Sequence, residues 1–271
     1  MNKRDVKIGF IGCGKMASAI IKGVIDSGFL LREQILASEV DNEFAQNKSK
    51  ELRIKVLTDN KSLVNEANIV FLAIKPNYVK EVLTEIKNEL QFDTLIVSIA
   101  AGVSINTIEN ILEKDFSVIR VMPNAPAVIL KGMSGVVRGK YANDSQVEFI
   151  IALLSNIGKC IEIAEDKMDV LTAISGSGPA FFYQIIHEMA LAGEKLGLEY
   201  GKSILLATQT AIGAAELLIK SELTPSELVQ SVATKGGCTE VGVEFLKNAQ
   251  TEKLFYDLIK QTAKKAKALG D

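Results

Sequence analysis

The stretch Ile8-Gly9-Phe10-Ile11-Gly12-Cys13-Gly14-Lys15-Met16-Ala17 puts a short apolar run directly before a G-x-G-x-x-A pattern and a helical sequence. This narrows the possible folds more than any other feature of the chain. A strand that ends at Gly12 can turn tightly there, and Gly14 lets the backbone approach a phosphate with no side chain between. Ala17 lets the next helix pack closely on the strand, and the helix start offers free N–H groups to an anion. The residues Gly12, Cys13, Gly14, Lys15, Met16 and Ala17 therefore read as a loop for a dinucleotide pyrophosphate. A plain glycine turn between strand and helix is the alternative that the loop alone leaves open.

The rest of the N-terminal half favours the dinucleotide loop. Apolar runs, most of them β-branched, recur at residues 34–38, 69–74, 95–99, 118–121 and 135–138, after the first at 7–11. They are apolar on both faces, as central parallel strands covered by helices must be. Helical patterns lie between them, at 17–27 and 78–90 for example, so this half reads as a Rossmann-type, doubly wound α/β sheet. Near residue 165 the strand signal stops. A helix at 166–174 should be broken by Ser175-Gly176-Ser177-Gly178, with Pro179 opening the next. The helices at 179–196 and 202–220 are apolar nearly all round, through Phe181, Phe182, Ile185 and Met189 among others, and must be buried against something. Thr224-Pro225-Ser226-Glu227 has the capping-box spacing for a further helix start. The domain reading is therefore 1–164 for the dinucleotide and 165–271 as an all-α dimerisation and substrate domain.

Composition removes several other classes. The chain has 271 residues with a formal net charge of −2, which gives no electrostatic reason to expect nucleic acid or an anionic membrane. No run of about 18 residues is free of glycine, proline and charge, so no membrane span is expected, and the N-terminal sequence lacks a signal-type apolar region. The mean hydropathy of +0.20 is high enough to hint at apolar surface buried between subunits. Cys13, Cys160 and Cys238 are odd in number and far apart, with no zinc spacing, so a reduced, cytoplasmic setting and no metal are expected.

At the end of the second strand, where an acid would hold a ribose 2′-hydroxyl, stands Glu39, preceded by Ser38. An acid there repels the extra phosphate of NADP and argues for NADH; a solvated glutamate at a strand end is the other reading.

Four further segments carry a more specific likeness: Leu72-Ala73-Ile74-Lys75-Pro76, Ser98-Ile99-Ala100-Ala101-Gly102, Arg120-Val121-Met122-Pro123-Asn124-Ala125-Pro126 and Ser175-Gly176-Ser177-Gly178-Pro179-Ala180. With the opening glycine loop, and in the same order along nearly the whole chain, they closely resemble pyrroline-5-carboxylate reductase. The resemblance implies hydride transfer from NADPH or NADH to the C=N bond of 1-pyrroline-5-carboxylate, giving L-proline. It places Ser38 and Asn60 at the adenosine ribose. Ala73, Ile74, Lys75, Pro76, Ala100, Ala101 and Gly102 would line the nicotinamide side. The family is usually described with NADPH, though many members accept NADH, so Glu39 leaves the preference open.

The resemblance also puts the substrate at Gly236, Gly237, Cys238 and Thr239, within Thr234-Lys235-Gly236-Gly237-Cys238-Thr239. From the residues themselves, two glycines ahead of a helix at 238–248 free backbone N–H groups for a small carboxylate. Thr239 resembles the family threonine that hydrogen-bonds the ring nitrogen and is the first catalytic candidate; Ser175 is the second. Lys235 stands where the family usually has proline, and Cys238 where it has threonine or a smaller residue. Both departures leave open a related cyclic imine acid, or a non-catalytic paralogue that keeps the cofactor. A β-hydroxyacid dehydrogenase would need a catalytic lysine on a helix of the second domain, and Lys195 near a helix end is a poor fit. His187, the only histidine, reads as a packing or surface residue. The family resemblance further implies homodimers assembled into a larger ring.

Overall fold

The structure is a computed structural model that describes residues 3–269. Its contacts divide the chain into two compact units, Met1–Ser177 with Thr262–Asp271, and Gly178–Gln261.

In the first unit the order is β1 (Ile8–Ile11), α1 (Lys15–Asp26), β2 (Ile35–Ser38), α2 (Asn42–Leu52), β3 (Lys55–Leu57), α3 (Asn60–Glu66), β4 (Ile69–Leu72), α4 (Val79–Ile86), β5 (Leu95–Ser98), α5 (Ile105–Leu112), β6 (Ser117–Met122), β7 (Gly132–Arg138), α6 (Asp144–Leu154), β8 (Gly158–Glu162) and α7 (Met168–Leu171). The strands form one sheet in the order β3-β2-β1-β4-β5-β6-β7-β8. Every neighbouring pair is parallel except β6 and β7. The strand order reverses beside β1, which opens a crevice at the carboxyl ends of β1 and β4.

Alternation along the strands explains why the runs are apolar throughout. Ile8 and Phe10 of β1, Ile69 and Phe71 of β4, and Leu95 and Val97 of β5 enter one core, with α1 and α6 above them. Ile11, Val70, Leu72 and Ile96 enter the other, against α3, α4 and α5. Both faces of the sheet are thus buried, as a mainly parallel sheet requires. The Phe10 and Phe71 rings stack across neighbouring strands at 4.6 Å.

Two strands are not anticipated by the sequence pattern. β3 is three residues long and half-exposed, and β8 is an edge strand reading Gly-Lys-Cys-Ile-Glu. The expected helix at 166–174 also differs. After a 3-10 turn at Glu165–Lys167, α7 runs into a π-helical turn at Thr172–Gly176, where Ser177 N–H donates to the Thr172 carbonyl at 2.8 Å. The Ser-Gly-Ser-Gly stretch widens the helix here before it reaches its break.

The second unit begins with α8 (Gly178–Lys195) and α9 (Tyr200–Lys220), then α10 (Pro225–Val232) and α11 (Cys238–Asn248); α12 (Thr251–Lys267) starts in it. The Thr224–Glu227 capping box forms as its spacing predicts. Much of this surface is apolar: Phe182, Tyr183, Met189, Leu205, Val241 and Phe245 are each more than half exposed. α9 is long and apolar enough to cross a bilayer by length and composition alone, and only 11% of its apolar window is buried.

Candidate active site

The glycine loop lies at the crevice. Gly12 has φ +89, and a Cβ added there would sit 2.6 Å from the Ala73 carbonyl oxygen. Glycine is therefore required both for the left-handed backbone and for the close approach of the segment after β4. That approach is pinned from both sides: Gly12 N–H donates to the Ser38 carbonyl at 2.9 Å, and Ala73 N–H to the Ile11 carbonyl at 2.8 Å. A Cβ on Gly14 would meet nothing within 4 Å, so the loop is open there. Gly14 is the N-cap of α1, with no side-chain cap and no acid in the first turn. The helix start thus leaves its N–H groups and positive end available to a pyrophosphate. Lys15 is exposed, Met16 half-buried, and Ala17 buried at the helix–sheet contact. Cys13 is fully buried, and burial raises its thiol to about 11. It is a protonated packing residue with no nucleophilic character at neutral pH.

At the end of β2, Ser38 is buried and its hydroxyl lies 2.7 Å from Asn60 Oδ1; Asn60 Nδ2 donates to Glu85 at 3.0 Å. The two expected ribose residues are therefore linked, and Glu85, which the sequence did not single out, orients the amide. Glu39 accepts the Cys13 N–H at 3.1 Å and so joins β2 directly to the glycine loop.

The remaining residues expected on the cofactor side lie at the neighbouring strand ends. Ala73 and Ile74 are half-buried after β4, Lys75 is exposed, and Pro76 opens a 3-10 turn. Ala100 is buried after β5, and Gly102 takes φ +81. The exposure of Lys75 denies it the buried setting a Schiff-base lysine needs.

Asn124 holds Ser175. Its Nδ2 donates to the Ser175 carbonyl at 3.1 Å and to the hydroxyl at 3.3 Å, while its Oδ1 accepts the Met133 N–H at 2.8 Å. The π-helical turn, where such distortions commonly mark function, is thus tied to the loop between β6 and β7. Arg120, buried in β6, reaches Glu165 at 3.3 Å, and Glu165 also caps the start of α5 through Ile105 N–H at 2.8 Å.

In the second unit, Gly237 N–H closes a four-residue turn onto the Thr234 carbonyl at 2.9 Å, with Gly236 at its third position and φ +75. Such a turn needs glycine there and favours proline one residue earlier, where Lys235 stands. Gly237 caps α11 with no side-chain partner, leaving the Cys238 and Thr239 N–H groups at the helix start. Glu240, which sequence reasoning passed over, accepts the Gly236 N–H at 2.7 Å. An acid at the third helical position could have suggested it. Cys238 is exposed and Thr239 half-exposed. His187 lies 2.9 Å from the Tyr200 hydroxyl, a contact between α8 and α9.

A mainly parallel sheet reversing beside a glycine loop with an uncapped helix start defines a dinucleotide-binding α/β protein, here joined to a helical C-terminal region. Comparison with known proteins narrows that class. Residues 165–269 match the family model described as pyrroline-5-carboxylate reductase dimerisation, and residues 7–102 that described as NADP oxidoreductase coenzyme F420-dependent. The chain is 37% identical to pyrroline-5-carboxylate reductase of Methanosarcina acetivorans, over 97% of this chain and 98% of that one. It is 34% identical to pyrroline-5-carboxylate reductase 2 of Bacillus subtilis, over 96% and 94%. Among solved structures, a pyrroline-5-carboxylate reductase from Coxiella burnetii aligns over 100% of both chains with a TM-score of 0.94 at 30% identity. The Plasmodium falciparum pyrroline carboxylate reductase with NADP bound aligns over 100% of both at 0.88 and 28% identity. The chain belongs to the pyrroline-5-carboxylate reductase family.

Proposed function

We propose that this protein reduces 1-pyrroline-5-carboxylate to L-proline with NADH or NADPH, the final step of proline biosynthesis. Kinship over 97% of the chain with a reductase of that name carries the reading. The glycine loop, the open space at Gly14 and the uncapped start of α1 fit a nicotinamide dinucleotide. When bound, that cofactor supplies the hydride. The hydride goes to the C=N carbon, the π electrons move to nitrogen, and the proton already on the iminium remains as the N–H of proline.

The protein then has chiefly to position a protonated ring and exclude competing geometries. Ser38, Glu39 and Asn60 would take the adenosine ribose, while Ala73, Ile74, Lys75, Pro76, Ala100, Ala101 and Gly102 would line the path to the nicotinamide. Gly236 and Gly237, whose own N–H groups are held by Glu240 and by the Thr234 carbonyl, would shape the turn around the substrate. The Cys238 and Thr239 N–H groups would receive its carboxylate, and the Thr239 hydroxyl the ring nitrogen. Ser175, fixed by Asn124, is the second hydroxyl offered to the substrate. On this reading residues 1–164 bind the cofactor, and 165–271 carry the substrate turn and the dimer contact. The apolar faces of α8 and α9 favour a homodimer in which a partner subunit supplies the substrate turn, and dimers would associate into a ring. The three free cysteines suit a reducing cytoplasm.

A related cyclic imine acid is the second reading, favoured by Lys235 in place of the turn proline. Assaying the five-membered imine acid beside its six-membered homologue decides between them: a higher kcat/KM for the five-membered ring supports the first reading, and the reverse order the second.

A further inference from the structure

We propose that Glu39 makes this reductase prefer NADH, by accepting the adenosine ribose 2′-hydroxyl and repelling a 2′-phosphate. The inference rests on the cofactor reading above and adds a choice between the two nicotinamides.

The carboxylate is held in place before any ligand arrives. Glu39 N–H donates to the Leu57 carbonyl at 2.9 Å, which fixes the backbone in line with β3. One carboxylate oxygen accepts the Cys13 N–H of the glycine loop at 3.1 Å, and the other accepts the Val40 N–H at 3.1 Å. Each oxygen keeps an unused lone pair, and an ionised carboxylate can only accept. A ribose diol supplies the hydroxyl donors that match. A 2′-phosphate removes one donor and brings negative charge to the same place.

The surroundings strengthen the discrimination. No lysine or arginine occurs from Glu39 to Asn47, whereas Asp41 and Glu43 do. The start of α2, which could otherwise have received a phosphate on its N–H groups, is closed by Asp41, whose side chain accepts the Phe44 N–H at 2.8 Å. Glu85 adds a further carboxylate behind Asn60. The nearby cations are engaged elsewhere: Lys48 with Glu51 at 2.8 Å, and Lys61 with Glu89 at 4.0 Å. Lys15, exposed on the first turn of α1, is the side chain that could act in the opposite sense.

Titration calorimetry of the full chain with NADH and with NADPH, without imine, tests the proposal independently of the reaction. NADH is expected to bind at least about tenfold more tightly, since loss of a ribose donor and gain of like-charge repulsion act together. Glu39→Gln keeps the acceptor and removes the charge, and Glu39→Ser removes both. Each should narrow the NADH-to-NADPH ratio by about tenfold or more, with thermal melting used to verify folding. Equal or tighter binding of NADPH by the unaltered protein would overturn the proposal and point to Lys15. An unchanged ratio in both folded variants would also overturn it. Absence of binding by either nucleotide would defeat this proposal together with the cofactor reading. NADH preference without imine turnover would leave the role of Glu39 standing and remove the reductase assignment.

Discussion

Thr239 carries the least redundant chemical role in the proposed site. Its hydroxyl stands in the first turn of α11, beside N–H groups that no side chain caps. Thr239→Ala should lower kcat by about tenfold or more, the equivalent of one hydrogen bond to a charged group. NADH affinity should be unaffected, and Thr239→Ser should recover most of the rate. Steady-state kinetics with calorimetric cofactor binding separates these effects, and an unchanged kcat in Thr239→Ala would remove the residue from the mechanism. Residues of this kind are readable in the sequence where local chemistry fixes them. Gly12 has to be glycine in a strand-to-helix turn, and Glu39 has to face the loop if β1 and β2 are parallel neighbours. Asn124 is visible only as part of a motif. Its partner Met133 lies across the loop between β6 and β7, but Ser175 is brought to it by the fold over a long stretch of chain, and no local pattern announces such a pairing.

At the scale of elements, the central strands are legible because burial on both faces leaves an unbroken apolar run. β3 and β8 are not, since both are edge strands that carry charge and bury little. The π-helical turn escapes a sequence reading because glycine and serine look like breakers, whereas here tertiary contacts, Asn124 among them, hold a widened helix together. The helices around the loop are also linked by charge. Glu51 of α2 lies between Lys22 of α1 and Lys48, and hydrogen bonds from those two ammonium groups lower its carboxyl from 4.5 to about 2. A depressed folded-state pKa contributes stability above the unfolded value and loses it as pH falls towards the folded one. The melting temperature advantage of the unaltered protein over Glu51→Gln should therefore be level above pH 5 and shrink between about pH 4.5 and 2. The effect should be small because the cluster is solvent-accessible. Thermal melts across that range check it, and an advantage that grows on acidification would contradict the sign.

For the whole molecule, the helices of the C-terminal region present apolar faces that call for a cover. Leu205 and Ile219 of α9 are 68% and 79% exposed, and Phe245 of α11 is 72% exposed. Apolar surface on this scale marks an interface. The sequence hints at it through all-round apolar helices and a mean hydropathy of +0.20. It does not name the occupant, because a bilayer and a second copy ask for the same residues. The family dimerisation match over residues 165–269 favours the second copy. Light scattering after size exclusion should give a dimer or a multiple of it, and Leu205→Glu should shift the population towards monomer. A monomer at micromolar concentration in the unaltered protein would contradict this assembly.

Mixing the full chain with 1-pyrroline-5-carboxylate and NADH or NADPH, while monitoring nicotinamide absorbance and proline together, tests the assigned reaction directly. One proline should form for each nicotinamide oxidised, and oxidation should stop when the imine is withheld. Folded protein that binds nicotinamide yet shows no imine-dependent oxidation with either cofactor would contradict the assignment.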